Sequence, residues 1–146
     1  MIAIGSDHAG FEIKEAIIEW LTQNDIPVTD FGTVSTESVD YPDYAHAVVG
    51  SILDEESVIG ILICGSGNGI CMTANKWRDI RAALCWNPEI ATLARLHNNA
   101  NVLCLPGRFL NHEQSIQIVE CFLDTEFEGG RHEKRVNKIN PSISNL

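Results

Sequence analysis

Apolar runs of strand length alternate with helical stripes along this chain. Ile2–Ser6 is the first run, and Phe11, Ala16, Ile17, Trp20 and Leu21 then mark one face of a helix ending near Asn24. A weaker strand pattern covers Ile26–Asp30 and gives way to a polar loop through Thr36, Glu37 and Ser38. Tyr44, Ala47, Val48, Ser51 and Ile52 predict a second helix. The strongest run, Val58–Ile63, reads as a strand buried on both faces, and it stops at Cys64. Glycines at 65, 67 and 69 permit a tight turn, after which helical spacing resumes from Ile70 to about Lys76. Arg81–Cys85 predicts a fourth strand, and Pro88 suits the start of a helix that runs to His97. Val102–Leu105 predicts a fifth strand, and Ser115, Ile116, Ile118, Val119 and Phe122 predict another helix.

Five strands alternating with helices imply an α/β fold, a doubly wound parallel sheet covered on both faces. No repeat or linker divides residues 1–146, so the expectation is a single domain, with 129–146 a basic C-terminal segment. Ligands of such sheets bind beyond the carboxyl ends of the strands, where strand order switches. Here strand one ends in Ser6-Asp7-His8 and strand three in Cys64-Gly65-Ser66. Strand four leads to Asn87, and strand five to Pro106-Gly107-Arg108. Reactive residue types therefore gather at one predicted edge. Asp7 and Cys64 would share a crevice if strands one and three are neighbours.

Composition narrows the classes. A length of 146 residues, 45% hydrophobic and 21% charged, suits an ordinary globular core. A net charge of -10 argues against nucleic acid and against an anionic membrane surface as partners. The chain begins in a strand pattern with no signal-like segment, and no apolar stretch approaches the ~20 residues that span a bilayer. Five cysteines without a CxxC pair predict reduced thiols in the cytoplasm, with neither a disulfide framework nor a zinc site.

The turn after Cys64 offers free amides and the positive end of a helix dipole, a favourable place for an anion. A thiol there is expected to ionise more easily than a free one. The third glycine of a dinucleotide fingerprint is replaced by Ile70, and the Gly-Lys-Ser/Thr of a Walker loop is absent. Asp7 also suits a helix N-cap, His97 a helix C-terminus, and Asn98 or Asn99 a helix stop. Tyr41-Pro42-Asp43-Tyr44 suits a turn and helix start whose aromatic rings could line a pocket. Four of the ten Lys and Arg residues fall between Arg131 and Lys138. On a helix Arg131 and Arg135 share a face, as do Lys134 and Lys138, and two guanidinium forks there suit a phosphate or carboxylate. Arg108 is a further basic candidate. One chemistry uses these parts together, the enolisation of a small phosphorylated carbonyl compound by a base, oxyanion donors and phosphate-gripping arginines.

Several segments resemble the family of ribose-5-phosphate isomerase B and the related galactose 6-phosphate isomerases (RpiB/LacA/LacB). They are Gly5–Phe11, Asp40–Ala45, Ile63–Ile70, Ala74–Lys76, Ile80–Ala83, Ala94–Leu103 and Gly129–His132, in order from residue 2 to about 139. The resemblance implies a three-layer α/β/α sandwich with a five-stranded parallel sheet, Rossmann-like. It implies interconversion of ribose 5-phosphate and ribulose 5-phosphate through an enediolate, with no cofactor and no metal. By resemblance, Cys64 is the base and His97 the acid in ring opening. The loop Gly65, Ser66, Gly67, Asn68 and Gly69 holds the enediolate oxygens, with Ser66 where relatives often carry Thr. Asp7, His8, Tyr41 and Asn98 resemble substrate-binding residues, and Arg108, Arg131 and Arg135 the phosphate- and substrate-binding arginines. The implied partners are a sugar phosphate and a second copy of the chain, as a homodimer or a tetramer, with some residues acting in trans. Branches that lack the cysteine use a glutamate just after the loop, where this chain has Ile70. Allose 6-phosphate or galactose 6-phosphate is the alternative substrate, and a non-catalytic sugar-phosphate sensor the alternative class.

Overall fold

In a computed structural model, residues 1–142 are described. The last four residues of the predicted basic segment 129–146 thus lie outside the described residues. The elements run β1 (Ile2–Ser6), α1 (Phe11–Gln23), β2 (Val28–Asp30), α2 (Tyr41–Leu53), β3 (Ile59–Cys64) and α3 (Asn68–Ala74). They continue with β4 (Ala82–Leu84), α4 (Pro88–Asn98), β5 (Val102–Pro106), a 3-10 turn at Gly107–Phe109, α5 (His112–Asp124) and α6 (Arg131–Val136). The five strands form one parallel sheet in the order β2-β1-β3-β5-β4.

Side-chain alternation in the strands divides the core. Ile2 and Ile4, Ile61 and Ile63, and Leu103 and Leu105 face α1, α4 and α5. Ala3, Leu62 and Cys64, Val102 and Cys104 face α2 and α3. Burial of each such isoleucine or leucine stabilises by about 1.5–3 kcal/mol. The three central strands are buried along nearly their whole length, which is why their sequences carry no polar alternation.

The outer strands are shorter than their sequence patterns predict. The β2 pattern loses Ile26 and Pro27, and the β4 pattern keeps only Ala82–Leu84. Both lie at sheet edges, where one side of the ladder has no partner among the described residues. The second helix begins at Tyr41, with Pro42 in its first turn, which agrees with the helix start expected at Tyr41–Tyr44. The basic segment is helical over Arg131–Val136, so Arg131 and Arg135 lie on one helix while Lys138 lies beyond it. Among the described residues no helix is long and apolar enough to cross a membrane.

A buried ammonium braces the β2 side of the sheet. Lys14 of α1 is fully buried and reaches Asp30 at 2.6 Å and Glu15 at 2.7 Å. Asp30 also accepts the Gly32 amide at 2.8 Å, and the Gly32 carbonyl accepts the Ser6 amide at 2.7 Å. This chain of bonds ends where β1 runs into Asp7.

Burial holds thiols protonated in the fold. Cys85 is pushed up to about 12, chiefly by burial and then by the nearby Cys71, and Cys104 is held well above its ordinary value for the same leading reason. The unfolded chain releases these protons at the ordinary thiol value of about 8.5, so stability is full below that pH and falls as the pH climbs toward about 12. Urea midpoints under reducing conditions are expected to drop between pH 8 and pH 10, with a shallower drop for Cys85→Ala. Identical slopes for the two proteins would contradict this.

Candidate active site

β1 and β3 are neighbours, and the chain leaves them toward opposite faces of the sheet, α1 on one side and α3 on the other. The crevice between them lies at a switch point of strand order. On the β1 side, the Asp7 amide donates to the Ile63 carbonyl at 3.1 Å. Asp7 Oδ1 accepts the amides of Ala9 at 2.9 Å and Gly10 at 3.2 Å. The N-cap of α1 is Gly10, not Asp7, so this carboxylate shapes the turn before the helix. His8 Nδ1 accepts the Val39 amide at 3.2 Å, which fixes the imidazole beside the loop leading to Tyr41.

On the β3 side, Gly67 adopts a left-handed φ of 74°, and a side chain there would meet Leu84 and the Leu105 backbone. Ser66 Oγ accepts the Asn68 amide at 3.3 Å and lies 3.2 Å from Asn68 Nδ2. The helix therefore begins at Asn68, two residues before the predicted start at Ile70. Tyr41 and Arg108 flank the loop. A Cβ on Gly69 would lie 2.5 Å from Tyr41 Cζ, and one on Gly65 would lie 3.0 Å from Arg108 Nη1. The Arg108 amide in turn donates to the Gly65 carbonyl at 3.0 Å.

Cys64 lies beneath this loop with 4% of its surface exposed. Its thiol corrects the expectation of easy ionisation. Burial pushes it above the ordinary value, and the charge of Asp7 pushes the same way. The amides of Ile70, Gly67 and Ser66 oppose the rise without cancelling it. Desolvation thus outweighs the donors that the glycine pattern makes visible, and the resting group is a thiol.

A second cluster stands elsewhere. His97 is in the last turn of α4, Asn98 closes that helix, and Asn99 takes a left-handed φ of 47° as its C-cap. The helix returns the chain to the amino end of β5, whereas Cys64 and Arg108 lie at the carboxyl ends of β3 and β5. The five residues of β5 separate those edges by roughly 13 Å along the strand. Arg81 Nε donates to the Asn99 carbonyl at 2.8 Å, Arg95 Nη1 to the Ala100 carbonyl at 2.6 Å and Arg95 Nε to the Thr125 carbonyl at 3.1 Å. The Glu128 amide donates to the Leu96 carbonyl at 3.1 Å, which brings α6 with Arg131, Arg135 and His132 beside His97. The His97 and His132 rings stack with centroids 4.3 Å apart. Arg108, Arg131 and Arg135 form no ion pair and no side-chain hydrogen bond among the described residues.

Of the expected site residues, Asp7, His8, Tyr41, Cys64, Gly65, Ser66, Gly67, Asn68, Gly69 and Arg108 gather at the carboxyl edge. His97, Asn98, Arg131 and Arg135 gather at the amino edge. Arg81, Arg95 and His132, which support the second group, were missed. Each looks like a helix-end or surface charge in sequence, and only the returning backbone reveals its partner.

The model of the Ribose/Galactose Isomerase family matches residues 2–139. The chain belongs to that family. It is 57% identical to a crystal structure of a ribose 5-phosphate isomerase from Thermotoga maritima, with TM-score 0.93, covering 94% of this chain and 95% of that one. It is 44% identical over 138 residues to ribose-5-phosphate isomerase B of Escherichia coli, covering 94% and 93% of the two chains. It is also 42% identical over 139 residues to D-erythrulose-4-phosphate isomerase of Pectobacterium atrosepticum, covering 94% and 91%. Membership of this family makes the chain an isomerase.

The raised Cys64 thiol has a direct chemical signature. Alkylation of Cys64 by iodoacetamide, corrected with Cys64→Ala, is expected to be slow at pH 7 and to keep rising beyond the ordinary thiol range. A fast rate that levels off below pH 8 would mean that the loop amides, not burial, dominate.

Proposed function

We propose that the chain interconverts D-ribose 5-phosphate and D-ribulose 5-phosphate through an enediolate, in sites shared by two copies of the chain. The observation that carries this reading is the division of the reactive groups. The thiol and its amide loop stand at one edge of the sheet, while the His97 imidazole, Arg131 and Arg135 stand at the other. One copy cannot bring these edges together across its own sheet. A two-fold dimer that sets the carboxyl edge of each copy against the amino edge of its partner makes two equal, complete sites. Met72 on α3, Trp86 after β4 and Leu93 on α4 are exposed apolar side chains, which supports self-association.

In this reading His97 protonates the furanose ring oxygen as the C1–O4 bond breaks and the O1 hydroxyl proton leaves to water, which frees the aldehyde. Cys64, once its thiol proton has left to water, removes the proton from C2 as thiolate, and the electrons move to O1 to give the enediolate. Amides of the Ser66–Gly69 loop hold the developing oxygen charge, where donors act more strongly out of water. The hydroxyl proton of O2 then passes to O1, and the proton held by Cys64 returns to C1 as O2 becomes the ketone oxygen, so atoms and electrons balance with no net redox change. The amides of Ser66, Gly67 and Ile70 also favour the sulfur anion that this step requires. Arg108, Arg131 and Arg135 would grip the phosphate, and Asp7, His8, Tyr41 and Asn98 the sugar hydroxyls. The relative that acts on a four-carbon ketose phosphate at similar identity makes chain length the part that needs measuring.

Turnover of ribose 5-phosphate is the test, with D-erythrose 4-phosphate and allose 6-phosphate in parallel. Wild type is expected to prefer ribose 5-phosphate, and Cys64→Ala to lose about 10³-fold or more in kcat, as removal of an essential base does. A clear preference for the four- or six-carbon sugar would change the substrate and keep the mechanism. Undiminished turnover in Cys64→Ala would remove Cys64 as the base.

A further inference from the structure

His132 has no part in the steps above, yet it is the most enclosed group beside His97. Its side chain is buried, with 7% of the residue exposed. The two rings lie 14° from parallel with centroids 4.3 Å apart, an offset stack rather than an edge contact. His132 Nε2 lies 3.3 Å from Glu128 Oε2, close enough for an ion pair but off the line of a hydrogen bond. The backbone holds the assembly from below. The Glu128 amide is bonded to the Leu96 carbonyl, one residue from His97, and the His132 amide to the Gly129 carbonyl at 3.0 Å.

We propose that His132 is the positioning residue for His97, which rests on the ring-opening role assigned to His97 above. An imidazole turns about two soft torsions, and the second is broad. Proton transfer, in contrast, needs a donor within about 2.6–3.2 Å of the ring oxygen, correctly aimed. A flat ring against one face of His97 removes that freedom and leaves both His97 nitrogens at the free edge. His97 makes no side-chain hydrogen bond among the described residues, so the stack is the contact that sets its plane. Glu128 lies beside His132, with Oε2 3.3 Å from His132 Nε2.

The ligand atoms of His97, Glu128 and His132 also lie within 4.8 Å of one another, the reach of a metal site. The stack opposes that use. Nearly parallel rings direct their lone pairs along separate planes, and one cation cannot sit in both planes unless a ring turns. The observed geometry suits packing of one ring by the other.

The chemistry of the ketose isolates the role. Ribulose 5-phosphate cannot close to a furanose, because the hydroxyl that would attack C2 carries the phosphate. Deuterium entry from D2O at its C1 therefore reports enolisation alone, whereas net conversion of ribose 5-phosphate needs ring opening as well. For His132→Ala, kcat on ribose 5-phosphate is expected to fall about 10-fold with KM within about twofold, as loss of orientation without loss of contact predicts. Exchange at C1 of ribulose 5-phosphate should stay at the wild-type rate. His132→Phe, which keeps a flat ring, should restore most of the loss, and His132→Gln should not. That pair gives the same comparison if the alanine variant fails to fold. In a His97→Ala background His132→Ala should cost nothing further. Exchange that falls in step with net turnover, full activity in His132→Ala, or activity that requires added Zn²⁺ would each overturn the proposal. A wild type that neither converts ribose 5-phosphate nor exchanges C1 would overturn the isomerase reading instead.

Discussion

A parallel sheet with short crossovers fixes where each kind of chain end can go. Every strand delivers its carboxyl end to one edge, and every returning helix delivers its own carboxyl end to the other. In this chain the rule places Cys64 and Arg108 on one edge and His97 and Asn98 on the other. No side-chain rotation moves a residue across roughly 13 Å of β5. The proposed two-copy site follows from this constraint more than from any single contact. Each edge is then built locally. Tyr41, Arg108 and the Asp7 turn shape the thiol's crevice, and Arg81, Arg95 and α6 brace the end of α4.

The Cys64 thiol shows how two effects of opposite sign are settled by magnitude. Three backbone amides favour its anion, and the glycine-rich turn exists to present them. Burial under that same turn disfavours the anion and wins. A group kept as a thiol in the free protein is shielded from adventitious oxidation and alkylation, which need the thiolate. The proposed chemistry then asks the amide loop to stabilise charge only when substrate fills the crevice. Preorganised donors suit that task because they need no reorganisation during the reaction.

The fold was largely legible because its signals are redundant. Three continuous apolar runs, each followed by a helical stripe, leave few topologies besides a parallel sheet. The pairing of β5 between β3 and β4 was not legible, since it depends on which strand the β4 crossover returns beside. Boundaries slipped at β2 and β4, where edge strands are set by packing and not by their own residues. For the site, Cys64, Gly67 and Asp7 announced themselves through turn chemistry at strand ends. The thiol's ionisation did not, because desolvation depends on what covers a group and not on its neighbours in sequence. His132 was hidden for a related reason. A histidine in a run of charges reads as solvated until the backbone brings it under another ring.

Subunit mixing addresses the shared site most directly. Cys64→Ala and His97→Ala, each reduced to a small residual activity alone, would be combined under conditions that let copies exchange. Half of the randomly paired dimers are then hybrids, and each hybrid holds one intact site and one doubly damaged site, so about a quarter of wild-type activity should return. Exchange verified by a mass-labelled partner with no return of activity would contradict the shared site, because the two residues would then have to act within one chain.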